Sequence, residues 1–180
     1  MRKNKKLKIQ VSLPRLENDP NWAQEIEQAA RFFLKELMSV RLQNTLNIKI
    51  HVRKTTLGAN TMGTHYSVAN GCESQKEHKI VLDYNASMET LAHELVHVQQ
   101  AVSKRLQYRV WKSDHQLHVR WEGQELGNKD RIPYRQRPWE IEAFDLAAKL
   151  FKKYKTNIID QCFENELKRL KSLQDQRQSA

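Results

Sequence analysis

The chain has little of what punctuates or crosslinks a fold: five glycines, four prolines and two cysteines in 180 residues. Cys72 and Cys162 stand far apart and in no CxxC spacing, which argues against a disulfide framework or a cysteine zinc knuckle and favours a reducing compartment. Long apolar runs are missing too. Lys, Arg, Glu or Asn interrupts each candidate within a few positions, so nothing approaches the roughly 18 residues of a bilayer span. The basic opening MRKNKKLKIQVSLPRLEN lacks the apolar middle of a secretory signal. A cytoplasmic protein without membrane attachment is the expectation. There is no internal repeat and no Pro/Ser-rich linker. The length suits one domain over 1–180, with a basic arm at about 1–8 and a polar tail at about 172–180.

Hydrophobic residues at 39%, together with four Trp, five Tyr and five Phe, supply a core. The net charge of +10 favours an anionic partner or surface without naming one.

Periodicity divides the chain. Asp19 and Pro20 precede apolar residues at helical spacing (Trp22, Ile26, Ala29, Ala30, Phe33, Leu37), which predicts a helix over 20–39 with Asp19 as its cap. Over 45–53, Leu46, Ile48, Ile50 and Val52 alternate with polar residues, the period of a half-buried strand. Short strand signals recur at 65–69 and 78–84 around the loop glycines Gly58, Gly63 and Gly71. Ser87 can cap a helix carrying Leu91, Leu95, Val98 and Val102 to about 103. The aromatic stretch 106–126 predicts a hairpin ending near Gly123. Pro133 and Pro138 bracket a loop; a helix from Pro138 carries Ile141, Phe144, Leu146, Leu150 and Phe151, and a separate last helix starts near Ile159 and fades into the tail. The fold class is α+β.

One segment carries chemistry. Thr90-Leu91-Ala92-His93-Glu94-Leu95-Val96-His97 places HExxH inside a predicted helix. Residues four apart on a 3.6-residue helix project from one face, so both imidazoles can reach a single ion. Glu94 is offset by about 100° from His93, which keeps it from co-ligation and leaves its carboxylate beside the metal. A zinc ion lowers the pKa of a bound water to roughly 7, and Glu94 would then act as general base on that water. With 7 His and 14 Glu in the chain, a chance match is expected only about 0.02 times.

A catalytic zinc site needs a third protein ligand. The candidates downstream are His115, His118, Glu122, Glu125, Glu140, Glu142 and Asp145. HExxHxxGxxH is excluded because Gln100 stands at the glycine position. Glu142 is preferred: it lies among Ile141, Phe144 and Leu146, the expected buried face, and a carboxylate is held inside only against a cation. Asp145 could orient a ligating His through its second nitrogen.

HELVH followed by WEIEAFDLA resembles the gluzincin arrangement of zinc peptidases, in which the third ligand is a Glu on a later helix, often followed by Ala. The short chain is similar to minimal members of that group, including phage-borne, ImmA/IrrE-like and SprT-like metallopeptidases. The resemblance covers about 78–152 and implies a zincin-like fold, in which a small mixed sheet packs on an N-terminal helix and the HExxH helix, with further C-terminal helices. It implies His93, His97 and Glu142 as zinc ligands and Glu94 as base. SprT-like members use a third His, a role for which His115 or His118 would have to serve. Tyr134 is the candidate oxyanion stabiliser, or else a loop aromatic over Pro133 and Pro138. The resemblance also implies a peptide substrate added to a sheet edge formed by the strand at 78–84; the apolar centre of that strand equally allows an interior position.

A second reading rests on basic residues. Lys104, Arg105, Arg109, Lys112 and Arg120 interleave with Tyr108, Trp111 and Trp121, a composition suited to phosphate contacts and base stacking. On that reading the chain binds nucleic acid and its metal is structural or vestigial. The same stretch also fits a hairpin with aromatics inward and solvated cations outward.

Overall fold

The computed structural model describes residues 6–14, 20–54, 62–67, 76–111 and 115–178. The basic opening before Lys6, the Asp19 cap, Gly58, Gly71, Cys72 and Lys112 fall outside them.

The mixed α+β architecture expected from periodicity is present. Strands β1 (Lys8–Ser12), β2 (Asn47–Arg53), β3 (Gly63–Ser67) and β4 (Glu77–Asp83) form one sheet in the order β1-β2-β4-β3. β1, β2 and β4 run parallel, with Ile50 opposite Ile80, and β3 is antiparallel to β4 with His65 opposite Ile80. Alternation in β2 buries Ile48, Ile50 and Val52 as its period requires. β4 is instead buried along Ile80-Val81-Leu82, the signature of an interior strand. β4 is therefore not the sheet edge that the resemblance implied; β3 is. β1 escapes a reading by period, because its short alternation follows directly on the basic arm.

Helix α1 (Pro20–Leu37) follows the expected bounds and buries Ile26, Ala29, Ala30, Phe33 and Leu34; α2 (Val40–Gln43) is one turn. Helix α3 (Met88–Val102) starts where Ser87 Oγ accepts the Thr90 N–H at 3.2 Å. It is the central helix, buried without a break from Leu91 to Val98, a run that includes the polar residues His93, Glu94 and His97.

Strands β5 (Leu106–Val110), β6 (Leu117–Trp121) and β7 (Gln124–Asn128) make a second, antiparallel sheet. β7 extends beyond the expected hairpin. Its turn is Glu122-Gly123 with φ of 49° and 87°, both positive, as a two-residue primed turn demands. This sheet has its own small core of Leu106, Val119 and fully buried Trp139.

Helix α4 (Pro138–Gln178) is one helix of 41 residues, not two. No glycine or proline interrupts 151–159, so nothing stops it. It remains helical to Gln178, well into the tail expected to fray. Its buried stripe also differs from expectation: Trp139, Ala143, Ala147, Leu150 and Tyr154 are inside, while Ile141 and Phe144 are 48% and 54% exposed. Among the described residues no helix is long and apolar enough to cross a membrane.

Candidate metal centre

Both motif imidazoles and Glu94 lie on the buried α3, at 7%, 8% and 5% exposure for His93, His97 and Glu94. The rotation of α4 just described turns Glu140 inward beside Trp139 and swings Glu142 toward the rim. Glu140 is buried at 8% exposure, and its Oε1 accepts the Trp139 indole N–H at 3.1 Å. The second sheet thus has a definite task. It anchors Trp139, and Trp139 aims Glu140.

Three atoms converge. His93 Nε2 and His97 Nε2 are 3.1 Å apart, and Glu140 Oε2 lies 3.3 Å from each. Zinc bonded to nitrogen and oxygen at 2.0–2.1 Å in a tetrahedron requires its donors to be separated by about 3.3 Å, so this triangle has the size of one face of such a site. Glu140 Oε2 is buried and has no hydrogen bond of good geometry among the described residues; what it faces are the two imidazoles at 3.3 Å. The donor set of two imidazoles and one carboxylate fits the ion. Among the described residues this is the one set of three or more such groups able to hold a metal.

The carboxylate that joins the two imidazoles is Glu140 and not the preferred Glu142. Glu142 Oε1 accepts from Arg105 at 2.8 Å and its Oε2 accepts from Gln100 Nε2 at 2.9 Å. Arg105 also holds Glu122 and lies over the Trp121 ring at 4.8 Å. The other candidates stay away from the centre. Asp145 and His115 are exposed, Glu122 serves Arg105, and His118 stacks on Trp111 near Glu125.

Glu142 nevertheless acts on the site at one remove. Gln100 Nε2 donates to Glu142 and to the Trp139 carbonyl at 3.0 Å, which fixes the amide so that Oε1 faces His97 Nδ1 at 2.8 Å. An oxygen there can only accept, so His97 carries its proton on Nδ1 and presents the Nε2 lone pair to the centre. Gln100, fully buried, registers in the sequence only as a residue that is not glycine.

Burial would raise the Glu140 carboxyl, but the imidazoles of His93 and His97 and the Tyr134 hydroxyl that face it hold it well below the usual carboxylate range. Burial lowers His97, yet the contact with Glu140 and its charge outweigh it and the net shift is upward. Glu94 is the opposite case: burial pushes it up to about 7, Glu140 adds to this, and His97 and the His65 backbone N–H pull back. Two carboxylates a few ångströms from the same imidazoles are thereby separated into a permanent anion and a group poised to exchange a proton.

Tyr134 sits in the turn Tyr134–Gln136 before α4, with its hydroxyl facing the Glu140 carboxylate and its ring 6.3 Å from Phe144. Burial and the charge of Glu140 raise its pKa, so the phenol keeps its proton and remains a donor. On the other flank, His65 of β3 stacks on His97 at 6.5 Å and shares a 2.9 Å hydrogen bond with buried His78. No motif or spacing singles out either histidine. Of the aromatic-basic stretch, Tyr108 and Trp121 pack on Trp139 with centroids 6.4 Å away, and Arg120 bonds the Gly123 carbonyl. Tyr108 and Trp121 are thus turned inward, while Trp111 is exposed and stacks on His118.

Comparison with known proteins finds no match to this chain among family models, curated proteins or solved structures.

Proposed function

We propose that this chain is a zinc-dependent peptidase of gluzincin type, with His93, His97 and Glu140 as ligands and Glu94 as general base. The observation that carries the proposal is the triangle of Nε2, Nε2 and Oε2 atoms at 3.1–3.3 Å, closed by a buried carboxylate oxygen with no hydrogen bond of good geometry among the described residues. The HExxH part of the likeness to gluzincins supports it, and a later helix supplies the glutamate, although Glu140 is followed by Ile141 and not by Ala. Bound zinc would supply Lewis acidity and an open position for water and substrate carbonyl.

The chain's own groups do the rest. Glu94 takes a proton from the attacking water and returns it to the leaving amine, a task suited to a carboxyl titrating near neutrality. The Tyr134 hydroxyl, which faces the Glu140 carboxylate, keeps its proton and would turn from Glu140 to donate to the oxygen that gains charge. Gln100 keeps the His97 lone pair forward. An extended substrate would lie along β3, the edge strand beside α3, where the His65 N–H is already committed to Glu94.

Metal analysis of protein purified without added zinc tests the reading. Stoichiometric zinc is expected in the native chain and none in His93→Ala/His97→Ala, with peptide cleavage lost to a chelator and restored by zinc. Negligible zinc in both proteins would end the proposal.

Gly63 offers a second test. A Cβ built there would lie 2.8 Å from Glu94 Oε1 and 2.8 Å from Thr90 Cγ2, closer than van der Waals contact permits. Gly63→Ala must therefore displace the base or the strand. A misplacement of about 1 Å can cost roughly 100-fold in rate, and overpacking costs about 1–3 kcal/mol. Peptide cleavage should fall on that order while zinc content stays unchanged; unaltered cleavage would show that Glu94 tolerates the shift.

A further inference from the structure

Helix α4 outruns the domain that it belongs to. Its last buried residue among those described is Tyr154, and every side chain from Ile158 to Arg169 is exposed. From Ile158 to Gln178 the overhang spans roughly 30 Å at 1.5 Å per residue. A helix of that length with no tertiary contact is marginal in water. Yet it carries large apolar side chains four apart: Ile159 and Phe163 are each 67% exposed and Leu167 is 42% exposed. Residues so spaced share one face.

Charge over 158–171 is segregated: Asp160, Glu164 and Glu166 come first and Lys168, Arg169 and Lys171 follow, with Asp175 and Arg177 beyond them. Such an element complements a reversed copy of itself, because the acidic half of one helix then lies on the basic half of the other. Centred between residues 165 and 166, the antiparallel pair sets Phe163 against Leu167 of the second copy, and Asp160 beside its Lys171 on the same flank, twice by symmetry. A parallel pair in register is disfavoured by the same face. Lys152, exposed about two turns before Ile159, would meet its own copy.

We infer that the exposed end of α4 is a self-association surface, which joins two copies of this chain through an antiparallel helix pair. Nothing in this depends on the metal centre.

Sedimentation equilibrium of the full chain tests it. A dimer is expected, and Phe163→Lys should convert it to a monomer while leaving zinc content and thermal unfolding of the domain unchanged. Asp160→Lys should weaken the dimer roughly tenfold or more by replacing two attractions with two repulsions, and the swap Asp160→Lys/Lys171→Asp should restore it. In a parallel pair the swap would instead set the lysine introduced at position 160 against Lys155 and the aspartate introduced at position 171 against Glu166, so failure to restore overturns the arrangement. Cys162 gives an independent readout. In the antiparallel pair the two copies of Cys162 lie roughly 10 Å apart along the axis, beyond disulfide reach. Oxidation of a Cys72→Ser chain should leave it uncrosslinked; a Cys162 disulfide dimer, or a monomer at the highest soluble concentration, would overturn the inference.

Discussion

Replacement of Glu140 by alanine is expected to abolish zinc binding, whereas Glu142→Ala should leave the metal in place. The two glutamates differ in what they touch. Glu140 offers one of three donor atoms and has no hydrogen bond of good geometry on it among the described residues, while Glu142 holds Arg105 and Gln100. Outer partners of metal ligands are worth roughly 10- to 100-fold in affinity. Glu142 belongs at the low end of that range, about tenfold, because Gln100 keeps the Trp139 carbonyl when Glu142 is removed. Loss of Glu140 removes a donor outright and should exceed the whole range. Competition against a chromogenic zinc chelator reads both effects. Thermal unfolding gives a second measure, since saturation at about 1,000 times Kd stabilises a native state by roughly 4 kcal/mol, or about 10 °C for a domain of this size. That zinc-dependent shift should survive Glu142→Ala and vanish in Glu140→Ala. The reverse pattern would return the ligand to Glu142 and refute the inward turn of Glu140 on α4.

The rotation of α4 also shows what sequence could and could not reveal about this site. His93, Glu94 and His97 were legible because their spacing is itself the geometry: four residues on a helix bring two rings to one ion whatever surrounds them. The third converging group comes from another helix, and its identity depends on how that helix is turned. Hydropathy assigns the inner face of α4 to Ile141, Phe144 and Leu146, the large apolar residues. The packed face uses Ala143 and Ala147 instead, both buried, because α4 approaches α3 closely and small side chains permit that approach. An alanine stripe is a weak signal by hydropathy and a strong one by volume. Reading it as the contact face would have placed Trp139, Glu140, Ala143 and Ala147 together and put Glu140 inside.

The same contrast runs through the fold. α1 and β2 were legible because each carries one apolar face at the period of its element, and α3 because Ser87 caps an apolar run at helical spacing. β7 was missed because Glu122-Gly123 is not the Asn-Gly or Asp-Gly turn that marks a primed hairpin, although both residues take positive φ. The break expected near Ile159 followed from the end of the apolar stripe. Burial does end there; the backbone does not.

Glu94→Gln should keep zinc and lose cleavage. The substitution alters one atom of a side chain that is 5% exposed, and glutamine's carbonyl can still accept the His65 N–H that now binds the carboxylate. None of the three converging donor atoms belongs to Glu94, so the metal's ligands survive. What disappears is the capacity to take a proton, since an amide is not a base near neutrality. General-base catalysis contributes roughly 10²- to 10⁴-fold, and because Glu94 would also return the proton to the amine, the upper part of that interval is expected in single-turnover cleavage of an unstructured peptide. A glutamine also needs no ionisation in a buried site, so the fold should be retained and a loss of rate cannot be assigned to unfolding. Zinc content measured on the same sample separates the alternatives. Retained zinc with full cleavage would remove Glu94 from the chemistry and leave the centre a metal site with a different purpose; retained zinc with cleavage reduced by the stated amount assigns proton transfer to the one buried carboxyl that burial holds near 7.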